Sequence, residues 1–308
     1  MKSLKLCLFA DLHHYPGVFY TQAAERLAAI QQRAEREQVD AIISLGDFCH
    51  LPLESDELLE QFHGFHIPSY MVLGNHDTDS TSLAEVLQAY RMPAPYYHFD
   101  LQGFRLIILD SNYLPESPDF AHSQLGNHRD YPNAQAAIHP EELEFLRRSL
   151  EESPYPCLLF SHCSLERETG ACLGNRDELM DILREAQRRR PGNLRLAVNG
   201  HHHRNFLRLL HGIAFLDLNS ASYDWVSQAH DFFPESLCRE FSAVQHTVIY
   251  QDALSAIVTL SQDGRISIEG AQSSMFMGVT REMTDNPIAD ASGRRCRPEI
   301  LSQTFSLF

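Results

Sequence analysis

The chain has no apolar run approaching the roughly 18 to 20 residues that a membrane-spanning helix needs. Its first apolar stretch, residues 4–10, is too short for a signal-peptide core and lacks a small-residue cleavage site. A soluble, unprocessed protein is therefore expected. Basic charge is scarce: 25 Lys and Arg against 41 Asp and Glu give a formal net charge of -16, which repels nucleic-acid phosphate and counts against such a partner. Seven cysteines, at 7, 49, 157, 163, 172, 238 and 296, show no tight paired spacing, so neither a disulfide framework nor a zinc knuckle is suggested and a cytoplasmic setting fits best. There is one Trp. Histidine, by contrast, occurs 17 times in 308 residues, and imidazole at that density directs attention to metal ligands.

With 44% hydrophobic residues and modest Gly and Pro, the chain is globular. Residues 4–10, 41–45, 69–73, 157–161 and 194–199 read as buried strands. Between them, residues 21–37, 56–63 and 176–189 carry helical spacing, and this alternation implies an α/β core. Three further pairs, 97–101 with 104–110, 205–210 with 213–218, and 255–260 with 265–269, flank short Gly-containing turns and read as hairpins. Two facing sheets with helices outside accommodate both patterns. Residues 111–139, 220–233 and 271–308 lack clear periodicity. The division expected is one domain over residues 1–270 followed by an arm, lid or tail over 271–308, through which the chain could self-associate.

Each α/β strand ends in polar residues, and ligands bind at the carboxyl ends of strands in open α/β sheets. The strand ends run into Asp11-Leu12-His13, Gly46-Asp47, Gly74-Asn75-His76-Asp77, His162 and Gly200-His201-His202-His203. Singly these are ordinary turn formers or structural histidines. Five in succession on one edge are hard to explain as turns. A carboxylate such as Asp47 can bridge two dications about 3.5 to 4 Å apart, and imidazole-rich coordination favours Mn, Fe or Zn over Mg or Ca. Two such ions lower the pKa of a bridging water and absorb the charge growing on a phosphoryl group, so phosphate-ester hydrolysis is the natural reaction.

These ordered blocks resemble the calcineurin-like metallophosphoesterases over residues 4–220. The resemblance implies a four-layer α/β/β/α sandwich with two facing mixed sheets and a binuclear centre of divalent or mixed-valence ions. It implies that Asp11, His13, Asp47 and His203 hold one ion, and that Asp47, Asn75, His162 and His201 hold the other. Asn75 and His76 would face the substrate. His76 would stabilise the phosphoryl group or protonate the leaving oxygen, with Asp77 beside it as a catalytic partner. Many relatives read Gly-Asp-x-x-Asp in the second block, whereas this chain has His50 at the last position. The Asp-x-His opening and Gly-His-x-His close are more similar to class III cyclic-nucleotide phosphodiesterases, glycerophosphodiesterases and manganese-dependent nucleoside-diphosphate-alcohol hydrolases than to purple acid phosphatases.

The function expected is hydrolysis of a small phosphodiester or nucleotide-like phosphoanhydride by a metal-bridging hydroxide. The alternatives are a phosphomonoesterase, including a protein phosphatase, then a nuclease, then a metal-bound scaffold without catalysis. Gly126-Asn127-His128 repeats the core of the third block but follows no apolar strand, so Asn127 is read as a loop residue. Cys49 and Cys163 are read as small buried neighbours, and residues 188–190 as cations at a helix C-terminus. Tyr223, Asp224 and Trp225 leave two readings open, core packing or an aromatic that stacks on a base or sugar.

Overall fold

Alternation of side chains along the strands sorts the molecule into layers. In a computed structural model that describes residues 3–51, 56–168, 173–226, 229–285 and 296–308, β1 (Ser3–Phe9) turns Leu4, Leu6 and Leu8 into one buried cluster and Cys7 and Phe9 into another. Cys172 lies outside the described residues, as do residues 286–295 of the expected C-terminal arm. The chain continues through α1 (Ala23–Arg36), β2 (Ala41–Ser44), α2 (Asp56–His63), β3 (Ser69–Met71) and α3 (Leu83–Ala89). It then enters the hairpin of β4 (Tyr97–Leu101) and β5 (Phe104–Ile108), followed by α4 (Pro140–Glu152), β6 (Cys157–Ser161), α5 (Arg176–Arg189) and β7 (Leu194–Asn199). After these come the hairpin of β8 (Phe206–Leu210) and β9 (Ile213–Asp217), then β10 (Tyr223–Trp225), α6 (Glu235–Glu240) and β11 (Thr247–Ile249). The hairpin of β12 (Ala256–Ser261) and β13 (Arg265–Gly270) follows, with α7 (Arg281–Asp285) and β14 (Gln303–Ser306) at the end.

The strands form two six-stranded mixed sheets and a two-stranded ribbon. The first sheet runs β14-β13-β12-β1-β2-β3, with β1, β2 and β3 parallel and β12 antiparallel to β1. The second runs β4-β5-β6-β7-β9-β8, with β5, β6, β7 and β9 parallel. Leu4, Leu6 and Leu8 of the first sheet share a core with Leu106, Ile108, Leu158 and Phe160 of the second. The opposite faces, Cys7, Phe9 and Ile42 in one sheet and Ile107, Leu159 and Ala197 in the other, pack under α1 to α3 and under α4 and α5 respectively. This is the four-layer α/β/β/α sandwich. No helix among the described residues is long and apolar enough to cross a membrane.

All three expected hairpins form. The helices α3 and α4 were not anticipated, although their signals are local. Ser82 and Glu85 make a capping box at the start of α3, and Pro140 opens α4 ahead of Leu143, Leu146 and Leu150, all buried. Residues 271–308 supply β14 at their end, where residues 303–306 pair with β13 along the edge of the first sheet. Within residues 111–139, Leu125 N–H donates to the Thr78 carbonyl (2.9 Å) and Thr78 Oγ1 donates to the Ser123 carbonyl (2.6 Å), docking the segment on the loop after β3.

Phe160 is fully buried between the sheets. Phe160→Ala is expected to cost about 3 to 5 kcal/mol in urea unfolding. A loss below ~1 kcal/mol would contradict a tightly packed inter-sheet core.

Candidate metal centre

Four of the strand-end blocks converge because β1, β2, β6 and β7 are parallel-running strands that end at the same edge, and the third block follows β3 at that edge too. Asp11, His13 and His203 bring ligand atoms together in one group, and Asp47, His162 and His201 do so in a second. His13 Nε2 lies 3.1 Å from His203 Nε2, and His201 Nδ1 lies 3.2 Å from His162 Nε2. Asn75 Oδ1 approaches His162 Nε2 to 3.1 Å. Asp47 Oδ2 stands between the groups, 3.2 Å from His162 Nε2 and 3.6 Å from His13 Nε2. All seven residues proposed from the sequence as metal ligands therefore meet.

The orientation of two histidines is set from behind. His162 Nδ1 is 2.8 Å from the Leu45 carbonyl and His203 Nδ1 is 2.7 Å from the Tyr223 carbonyl, so each donates from Nδ1 and turns an Nε2 lone pair inward. Burial pulls the pKa of His13 well below the usual imidazole range and that of His201 down to about 4, which leaves neutral rings as ligands need. Burial alone would also lower His162, but the Asp47 carboxylate outweighs it and holds the ring well above its ordinary pKa. Four imidazoles, an amide oxygen and two buried carboxylates, with facing atoms 3.1 to 3.9 Å apart, make a donor set that fits a pair of dications. Two bound cations would take the place of protons there.

The backbone is bent to achieve this. Five of the seven, Asp11, His13, Asp47, His201 and His203, have positive φ, between 49° and 69°, a region that costs an L-residue about 1 kcal/mol or more. Close approach of the loops requires glycine: a Cβ on Gly74 would stand 2.2 Å from both the backbone nitrogen and Oδ1 of Asp47.

Asp77, expected as a catalytic partner of His76, has a different place. It is 1% exposed and accepts from the backbone N–H groups of Gly74 (2.7 Å), Asp47 (3.0 Å) and Phe48 (2.8 Å) and from the Tyr90 hydroxyl (2.6 Å). Burial and the nearby Asp47 charge push its carboxyl up to about 7, while four donors and no acceptor hold the anion. It ties the second block to the third, with its carboxylate oxygens taken up by these four donors.

The partner of His76 is Asp79, which the sequence reading missed. His76 Nδ1 is 2.6 Å from Asp79 Oδ2, and the His76 ring centroid is 5.5 Å from that of His13. Burial would lower the His76 pKa, but Asp47 and the bond to Asp79 raise it to about 9. An acid three residues after a histidine in a turn-forming motif was the available signal. His50, at the position where many relatives carry an acid, stacks on Tyr15 with ring centroids 4.0 Å apart, and burial lowers its pKa to about 4.

The remaining candidates separate cleanly. Asn127 Oδ1 accepts from Gln124 N–H (2.9 Å) and its amide donates to the His122 carbonyl (2.9 Å), so it serves its own loop. His122 is buried 2.9 Å from Asp110, while His128 Nδ1 lies 4.0 Å from the Asp79 carboxylate. Cys49 and Cys163 are buried, and neither belongs to a ligand group. A cavity of about 590 Å³ opens beside His203, walled by Arg167, Arg204, Arg208, Asn219 and Asp224.

A family model described as calcineurin-like phosphoesterase matches residues 4–205, a span that contains all seven candidate ligands. The chain belongs to the calcineurin-like phosphoesterases. These are metal-dependent phosphoester hydrolases, and the clustered donors indicate a dimetal centre here. Among solved structures, the chain is similar to a dimetal phosphatase from Danio rerio, with 15% identity and a TM-score of 0.58 over 89% of this chain and 99% of that one. It is also similar to GAP50, the anchor in the inner membrane complex of Plasmodium, with 13% identity and a TM-score of 0.55 over 88% of this chain and 84% of that one. At these identities the likeness concerns the fold. No curated protein matches the chain in sequence.

Asp47→Asn is expected to remove most bound metal, measured as metal content per chain after loading and desalting, because it halves the charge available to two ions at once. Retention of two ions per chain by that variant would contradict a bridging Asp47. Gly74→Ala should lower metal content as well, since its Cβ collides with the Asp47 loop.

Proposed function

We propose that this protein hydrolyses a small phosphodiester or a nucleotide-like phosphoanhydride. The observation that carries the reading is the Asp47 carboxylate between the two donor groups, with His76 beside them. Asp11, His13, Asp47 and His203 would hold one cation in this reading, and Asp47, Asn75, His162 and His201 the other; a bound pair would supply a hydroxide nucleophile near neutral pH and offset charge on the phosphoryl group.

The remaining chemistry belongs to side chains. Asp79 accepts the Nδ1 proton of His76, which leaves Nε2 to donate to the oxygen of the departing group. Protonation of that oxygen matters most for an alcohol or alkoxide leaving group, the kind released from a diester. The cavity beside His203 falls in the size range of small-molecule sites, and the acidic balance of the chain disfavours polynucleotides. A phosphomonoesterase is the second reading, supported by the same donor set. The six cysteines among the described residues form no disulfide with one another, in keeping with a reducing, cytoplasmic setting.

The deciding measurement is the rate ratio for a chromogenic phosphodiester and the matching monoester on manganese-loaded protein. A ratio well above one is expected, and a ratio well below one would make the monoesterase reading primary. A second expectation follows from His76. A group with a raised pKa stays protonated below it and loses its proton as pH rises through it, so activity that needs the His76 proton fades on the alkaline side. Asp79→Asn removes a partner that raises this pKa, so the alkaline limb of the pH–rate profile should move to lower pH and the maximal rate should fall by about 10²-fold or more. An unmoved limb would separate Asp79 from the reaction.

A further inference from the structure

The ribbon that follows the second sheet carries three residues that alternate in environment. Tyr223 and Trp225 share one side of β10, their ring centroids 5.2 Å apart, and Asp224 faces the other way. Tyr223 is 1% exposed and fills the space beneath the metal centre, 5.2 Å from the His13 ring and 4.9 Å from the His203 ring. Trp225 is 41% exposed, although it too lies beside a ligand, 6.1 Å from the His203 ring. The packing role open to an aromatic here is thus taken by Tyr223.

The contacts of the indole leave it suited to a planar partner. Phe19 and Tyr223 meet it near perpendicular, at 83° and 89°, and His203 is tilted by 38°, so none of these rings lies parallel to it. The indole is a large apolar ring partly exposed at the lip of a charged site, a surface that a planar apolar partner would remove from water. Every nucleobase offers a π-face for such a surface, and stacking on an aromatic side chain is tolerant of base identity. The cavity on the Asp224 side is less suited to reading an anion, because Arg167 already pairs with Asp217 (3.0 Å) and Arg208 with Glu166 (2.6 Å).

We propose that Trp225 is a stacking platform for a base-like ring of the substrate, which makes a phosphoester carrying a single nucleoside the substrate class. This rests on the phosphoesterase reading for its chemistry, with the phosphoryl group at the two donor groups and the ring reaching past His203 to the indole. Specificity for the base-bearing half of the substrate then comes from one side chain outside the five strand-end blocks.

Trp225 is the only tryptophan, so its fluorescence reports on this surface alone. On zinc-loaded protein, adenosine 5′-monophosphate is expected to quench the emission saturably and ribose 5-phosphate to leave it unchanged. Trp225→Ala should raise KM for a nucleoside-bearing diester about tenfold more than for a glycerophosphodiester, and Trp225→Phe should recover most of the difference. An emission blind to the nucleotide, or an equal shift in KM for both diesters, would overturn the proposal. If the alanine variant does not fold, the quenching of the native chain and the Phe variant still decide it. Failure of the native protein to hydrolyse any phosphoester would count against the phosphoesterase reading, whereas the quenching comparison bears on the platform by itself.

Discussion

Too many electron pairs meet in too small a buried space: that is the constraint on which the rest of this structure depends. Nε2 atoms of His13 and His203 face each other at 3.1 Å, and Asp47, Asn75 and His201 crowd His162 in the same way. At such separations a proton must fill each gap between these rings and oxygens, and a bound cation could take its place. Everything nearby serves to keep them there. The carbonyls of Leu45 and Tyr223 fix two rings from behind, positive φ at five ligands bends the strand ends inward, and the glycines let one loop pass against the next. Strain of this kind persists only where the surrounding fold over-determines it, and here two facing sheets supply the rigid frame.

Neighbouring acids on one loop do different work. Asp77 spends its whole hydrogen-bonding capacity on the backbone of the second and third blocks and on Tyr90, which makes it a clasp between loops. Asp79, two residues on, bonds the imidazole of His76 from a half-exposed position. His50 stands where many relatives have a carboxylate, and Asp79 provides the carboxylate found next to His76 in this chain. A departure in one block is accompanied by a substitute in another, and the pair must be considered together.

The five blocks were legible because each is a strand followed at once by its ligand, so periodicity and chemistry coincide in a few consecutive residues. The facing sheets were legible for the same reason, since Leu4, Leu6 and Leu8 alternate with Cys7 and Phe9 between two cores. Asp79 was not, because its significance lies in a turn geometry that places an Nδ1 against an oxygen, and an acid in a polar loop has many other uses. The surroundings of Asp77 were hidden for a related reason. Adjacency to His76 in sequence suggested adjacency in space, yet the turn sends its carboxylate under the backbone of Asp47 and Phe48. Helix α3 is short, and both α3 and α4 lie beside loops, although their caps are written in Ser82, Glu85 and Pro140.

The pairing of residues 303–306 with β13 has a consequence for how the molecule avoids its own kind. Without β14, the row of backbone donors and acceptors along β13 that now bonds to it would face solvent as an open edge, a template for strand addition from another copy. Ser267 and Thr304 join their hydroxyls across this seam (2.9 Å), and the Phe308 ring lies against the Arg195 guanidinium, 5.5 Å away. The four-residue strand that replaces β13 as the edge alternates half-buried and exposed positions and is short, which leaves a neighbour little to grasp. A segment far from the chemistry thus covers an edge of the sheet that delivers Asp11, His13 and Asp47.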